Sequence, residues 1–227
     1  MEVSAVIQKT LRRWLSLGFV LALPSSAAWA QVVAKAEMRV TISVHNDAGI
    51  PANTLRGAEM EASRVFRQSG IEVKWLNCPL PADGPEDAAQ CRTAIFPEYL
   101  QLRIARRSLD LSGFTFGISY LSADGTGCYA NLFYDRVEEL HERSDLSLAS
   151  ILGHVAAHEI GHLLLGTNSH AESGIMRARW QSGELGSVSK GALFFSDTES
   201  RQMGNKLATW HAKRMDETRI ALARPGD

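Results

Sequence analysis

Low-complexity tracts and internal repeats are both missing from this 227-residue sequence, which excludes solenoid and array architectures. Basic residues nowhere cluster with interleaved aromatics, so nothing marks a nucleic-acid partner. Beyond the first thirty or so positions, no stretch reads as long enough to span a membrane. An excess of one charge sign is also lacking: 24 Lys and Arg stand against 25 Asp and Glu, a net charge of −1. What these absences leave is the composition of an ordinary globular protein.

The N-terminus is the exception. Lys9, Arg12 and Arg13 form a positive segment, and Trp14 to Leu23 is apolar except for Ser16 and Gly18. Ala28-Trp29-Ala30 follows, with the small-x-small pattern of a cleavage site. About ten apolar residues cannot cross roughly 30 Å of hydrocarbon. Residues 1–30 are therefore read as a secretory signal peptide cut before Gln31. The expected product is secreted or periplasmic, with no membrane association after cleavage. It would be one domain of 197 residues (31–227), enough for a proper core. Its net charge becomes −3, because three basic residues and Glu2 leave with the peptide. Gln31 to Glu37 are too few to build an inhibitory pro-domain before the first strand, so none is expected.

Periodicity then sets out an α+β chain. Met38 to Val44 alternates apolar and polar as a half-buried strand. Leu55, Ala58, Ala62, Val65 and Phe66 keep helical period, and Gly70 ends that helix. Ile71 to Trp75 alternates again, so a parallel pair with a crossover helix is predicted. Further strands are expected at Leu100 to Ile104, Phe114 to Leu121 and Tyr129 to Tyr134, the last two joined by a turn at 123–127. Asp145 is the expected N-cap of a helix whose apolar positions are Leu148, Ile151, Leu152, Val155, Ala156 and Ile160. Arg177 to Gly191 reads as irregular. Ser196 and Glu199 form a capping box that opens a last helix through about Met215, with Met203, Leu207 and Trp210 inward.

Chemistry concentrates at His158-Glu159-Ile160-Gly161-His162. Residues four apart on a helix share a face, so the two imidazoles supply half of a tetrahedral zinc site. Glu159 sits about 100° round the helix, within reach of a proton from a water at that metal without being a ligand itself. Gly166, His170 and Gly174-Ile175-Met176 follow.

This segment resembles the active site of the metzincin metallopeptidases, whose pattern is HExxHxxGxxH above a Met-turn. The resemblance implies His158, His162 and His170 as zinc ligands, Glu159 as general base, Gly166 as the turn and Met176 as the Met-turn residue. It also implies a mixed twisted sheet of about five strands, a zinc-bearing helix and a C-terminal helix. Its edge strand, here Gly113 to Leu121, would form the upper rim of a cleft for a peptide or protein substrate. This chain has three residues where the family has two on each side of Gly166, so the third histidine comes two positions late. Gly166 can end the helix in the left-handed conformation. An extra helical residue before it adds about 1.5 Å, which the extra loop residue after it can return. That favours His170; Asn168, at the family's usual ligand position, is neutral and a poor zinc ligand.

Other readings stay open. A gluzincin-like enzyme would take a downstream glutamate, Glu199, as third ligand, and a secreted zinc-binding protein would keep the motif without turnover. His154 reads as a helix-packing residue. Arg177 and Arg179 read as an exposed pair rather than as oxyanion or carboxylate ligands. His45, His141 and His211 carry no constellation. Cys78 and Cys91 flank a loop without a core of its own and are expected to pair on export, which leaves Cys128 as a packed, unpaired thiol.

Overall fold

The computed structural model describes residues 38–78, 91, 99–108 and 115–223, with side chains to 220. The N-terminal segment read as a signal peptide and most of the loop between Cys78 and Cys91 lie outside the described residues. The elements run β1 (Arg39–His45), α1 (Ala52–Gln68), β2 (Glu72–Cys78), β3 (Tyr99–Ala105), β4 (Gly117–Tyr120), β5 (Tyr129–Phe133), α2 (Tyr134–Glu142), α3 (Leu148–Leu165), α4 (Ser182–Ser189) and α5 (Asp197–Ala223). The strands form one mixed sheet in the order β2-β1-β3-β5-β4. β1 pairs parallel with β2 and β3, β3 pairs parallel with β5, and β4 alone runs antiparallel, on the edge beside β5.

Alternation decides the buried face. Val40, Ile42 and Val44 of β1, Leu100, Leu102 and Ile104 of β3, and Ala130 and Leu132 of β5 are all buried in one core. The helix that joins β1 to β2 buries Leu55, Ala58, Ala62, Val65 and Phe66, the residues its period picks out. Against them lies α3, whose Ile151, Leu152, Ala157, Ile160, Leu163 and Leu164 are almost wholly inaccessible. With 18 residues at a mean hydropathy of 1.3, α3 is long and apolar enough to cross a membrane, but 78% of it is buried inside the protein. It is the spine of the core.

Several local expectations are corrected. Ser147, not Asp145, caps α3, its Oγ accepting from the Ser150 N–H at 3.0 Å. A cap must stand next to the first helical residue to reach that N–H, and Asp145 is two positions early. Tyr134, expected to end the fifth strand, instead opens a helix, Tyr134–Glu142, which buries only Tyr134 and Val137 and so carries a faint pattern. The segment expected to be irregular after Met176 contains α4. There the Gln181 N–H donates to Glu184 Oε2 (2.9 Å), and Arg177 pairs with the same carboxylate (3.1 Å). These contacts hold a Gly- and Ser-rich turn that propensity alone would not. The last helix continues to Ala223, because exposed helix-formers propagate it past its last buried residue, Leu207. Its predicted capping box is present: Ser196 N–H donates to Glu199 Oε2 (2.7 Å), and Glu199 N–H to Ser196 Oγ (3.3 Å).

Cys78 and Cys91 are bonded, and Cys128 is free, as expected. The bond closes a separation of 13 residues. Replacing both cysteines by serine should lower the free energy of urea unfolding by about 3 kcal/mol. Thiol counting on the denatured, unreduced protein should find one thiol, at Cys128.

His154 is fully buried on α3, its Nδ1 2.8 Å from the Ser150 carbonyl and its Nε2 3.6 Å from Glu61 Oε1 on α1. Burial pushes its pKa below 6.5. The Arg64 charge acts the same way, and the Ser150 and Leu193 carbonyls and Glu61 oppose. The unfolded chain thus takes up a proton first as pH falls. The stability this residue supports is complete above about 6.5 and is lost below it. His154→Gln should flatten the fall in unfolding free energy between pH 7 and 5, by at most about 1.4 kcal/mol per pH unit. An unchanged slope would show that His154 titrates alike in both states.

Candidate metal centre

Helical rise places His158 and His162 one turn apart on α3, and their Nε2 atoms face each other at 3.1 Å. Each ring is fixed from its other nitrogen. His158 Nδ1 lies 2.6 Å from the Ile175 carbonyl, and His162 Nδ1 lies 2.8 Å from the Thr167 carbonyl. A carbonyl only accepts, so both Nδ1 atoms carry the proton and both Nε2 atoms present lone pairs. Two lone pairs aimed at each other repel unless a cation lies between them. Ligand bonds of 2.0–2.1 Å in a tetrahedral zinc site would set two nitrogens about 3.3 Å apart, close to the observed spacing.

The helix stops at Gly166, which takes the left-handed conformation (φ 70°) while its N–H donates to the His162 carbonyl at 2.8 Å. The chain then returns. The Ala171 N–H donates to the Met176 carbonyl (2.9 Å) and closes the loop, which brings the exposed His170 back to the pair. Ring centroids of His170 lie 5.4 Å from His158 and 4.8 Å from His162. One ligand atom from each of the three falls within 4.8 Å of the others, a set able to hold a metal ion. Among the described residues no other group of three or more His, Cys, Asp or Glu side chains does so. Glu199 is engaged in its capping box and is not one of the cluster. Met176 is buried against α3; a Cβ on Gly161 would stand 2.8 Å from its Sδ.

Burial governs the electrostatics. It drives His158 down to about 3, helped by the charges that His162 and His170 would carry and opposed by the Ile175 carbonyl. His162 and His170 are lowered too, burial again being the first cause. The ligand set is therefore neutral at neutral pH, which is the metal-binding form. Glu159, 5% exposed, is pushed up to about 7 by the same loss of solvent, against a hydrogen bond from Ser119.

These groups open into a cleft of about 350 Å³. Its upper side is the approach to β4 and the strand itself, residues 115–119; Gly113 and Phe114 of the expected rim lie outside the described residues. Its lower side is Arg177 to Trp180. Trp180 donates from Nε1 to the Ile175 carbonyl (3.1 Å) and stacks on Phe116 at 6.3 Å, joining the two rims. Arg177, only partly exposed, pairs with Glu184, whereas Arg179 is exposed as expected. His154 stays outside the cluster, as its packing role implies. Ser119, Phe116 and Trp180 went unnoticed in the sequence; only the alternation of β4 hinted that Gly117 and Ser119 share a face.

No protein-family model matches the chain, and no curated protein does. Among solved structures it is similar to a zinc-dependent peptidase from Methanocorpusculum labreanum. Identity is 17%, the TM-score is 0.47, and the match covers 71% of this chain and 99% of that one. It is also similar to metalloproteinase-II from Bacteroides fragilis, at 16% identity and a TM-score of 0.45. That match covers 75% of this chain but only 53% of the other, so this chain spans about half of its length.

The third ligand can be tested directly. His170→Ala should lower zinc affinity at least tenfold by competition with a chelator, since one of the three nitrogens that would hold the ion is lost. Asn168→Ala and Glu199→Ala should leave the metal in place. Stoichiometric, tight zinc in His170→Ala would return Glu199 to consideration.

Proposed function

We propose that this protein is a metzincin-like zinc peptidase, a single exported domain that hydrolyses peptide bonds. One observation carries the reading: three neutral imidazoles converge within 4.8 Å in an open cleft, beside a buried carboxylate from the same helix. His158, His162 and His170 would hold the ion, and three histidines leave a fourth position open, the catalytic rather than the structural arrangement. Bound there, zinc would supply Lewis acidity to a water and to the scissile carbonyl.

The chain's own residues do the rest. Glu159, held in the cleft beside the three imidazoles, takes the proton from the attacking water and delivers it to the departing amine. β4 lies on the sheet edge, where an extended peptide can add as a further strand through backbone hydrogen bonds, in register whatever its side chains. Met176 packs as an apolar floor under the two helix histidines, outside the ligand set. The Cys78–Cys91 bond fits an oxidising compartment, secreted or periplasmic.

Mature protein loaded with zinc should cleave unfolded casein. Glu159→Gln should keep one zinc per chain and lose at least a thousandfold in kcat, since base and proton donor go together. A wild-type protein that binds zinc and cleaves no peptide would instead indicate a secreted zinc-binding protein.

A further inference from the structure

Glu159 is gripped from the edge strand. Along β4, side chains alternate between faces, and the two buried positions are Gly117 and Ser119. Both meet the same side chain, that of Glu159 on α3. Ser119 Oγ lies 2.7 Å from Glu159 Oε2 and 2.7 Å from the Glu159 main-chain carbonyl. One hydroxyl proton cannot serve both acceptors, and an ionised carboxylate makes the stronger bond. A Cβ at Gly117 would stand 2.6 Å from Glu159 Cγ and 2.8 Å from Cδ, well inside contact distance. One residue of the strand leaves room for the side chain, and the next on that face ties down its end.

A glutamate has three rotatable bonds, and burial alone does not choose among its rotamers. Resting on the peptidase reading above, we propose that Ser119 is a positioning residue for Glu159. Its hydroxyl fixes the carboxylate through Oε2 and turns Oε1 toward the attacking water, in space that Gly117 provides. The strand that offers its backbone to the substrate thereby also orients the base. Pairing of the substrate and placement of the proton acceptor are set by one element.

Ser119→Ala should lower kcat on a peptide substrate roughly 10- to 100-fold, with KM within about twofold and one zinc per chain retained. Ser119→Thr, which restores the hydroxyl on a strand that tolerates β-branching, should recover most of that loss. A packing role would move Tm or zinc content and would not separate alanine from threonine. Either of those results, or a threonine variant as slow as alanine, overturns the proposal. A second readout needs no turnover: affinity of the zinc-loaded protein for acetohydroxamate, whose N-hydroxyl proton Glu159 would accept in the base role proposed above. Both Glu159→Gln and Ser119→Ala should weaken it, the latter at least threefold. If Glu159→Gln abolishes cleavage while Ser119→Ala changes neither kcat nor hydroxamate affinity, the positioning role fails and the peptidase reading stands. If the wild type cleaves nothing, that reading fails and the hydroxamate measurement alone decides the role of Ser119.

Discussion

Two imidazole nitrogens facing each other at 3.1 Å are the constraint around which the rest of the structure is arranged. Such a pair is unfavourable by itself, and two main-chain carbonyls hold it in place. One belongs to Thr167, just after the helix stops, and the other to Ile175, just before Met176. The loop that swings His170 inward is thus the same loop that fixes the other two rings, from both of its ends. Ring orientation, loop closure and third-ligand placement form one set of contacts. A change at Gly166 or at the Ala171–Met176 hydrogen bond would disturb all three together.

Burial does two opposite things here for one reason. Loss of solvent disfavours charge, so it lowers the histidines and raises Glu159. The donors stay neutral where a metal needs lone pairs, and the carboxylate beside them is raised by the same cause. No separate device is needed for each group. Placing α3 at the centre of the core achieves both, and this accounts for a polar triplet on the most apolar helix described.

Much of this was legible in the sequence wherever one element's own period fixes geometry. The buried face of α1, the alternating core face of β1 and β3, and the shared face of His158 and His162 all follow from rise and twist along a single element. Gly166 and His170 were picked out by the motif they resemble, and the left-handed turn expected at Gly166 is present. The failures have a common cause. Helices α2 and α4 bury only two residues each, so their patterns are faint, and α4 depends on Glu184 meeting both Gln181 and Arg177. Arg177 reads as a surface residue until its partner is placed. Ser119 is an unremarkable serine until β4 is laid beside α3, and that pairing is not encoded in any local period.

The gap between β4 and α3 therefore matters more than either element, and it is set at three points. In the middle, Ser119 bonds to Glu159. At one end, Phe116 stacks on Trp180, which is itself tied to the Ile175 carbonyl that orients His158. Near the far end of α3, Lys206 reaches from α5 and donates to the carbonyls of Gly125, in the β4–β5 turn, and Leu163, in the last turn of the helix. An ammonium there suits the negative end of the helix dipole, and burial lowers its pKa against the pull of Asp124. Among its described residues the C-terminal helix adds nothing to the histidine cluster or the cleft lining, yet one of its side chains joins the hairpin to the helix that bears the histidines. Cleft width is in this way a property of the whole fold. A peptide that added to β4, as proposed, would meet a cleft whose width is already fixed.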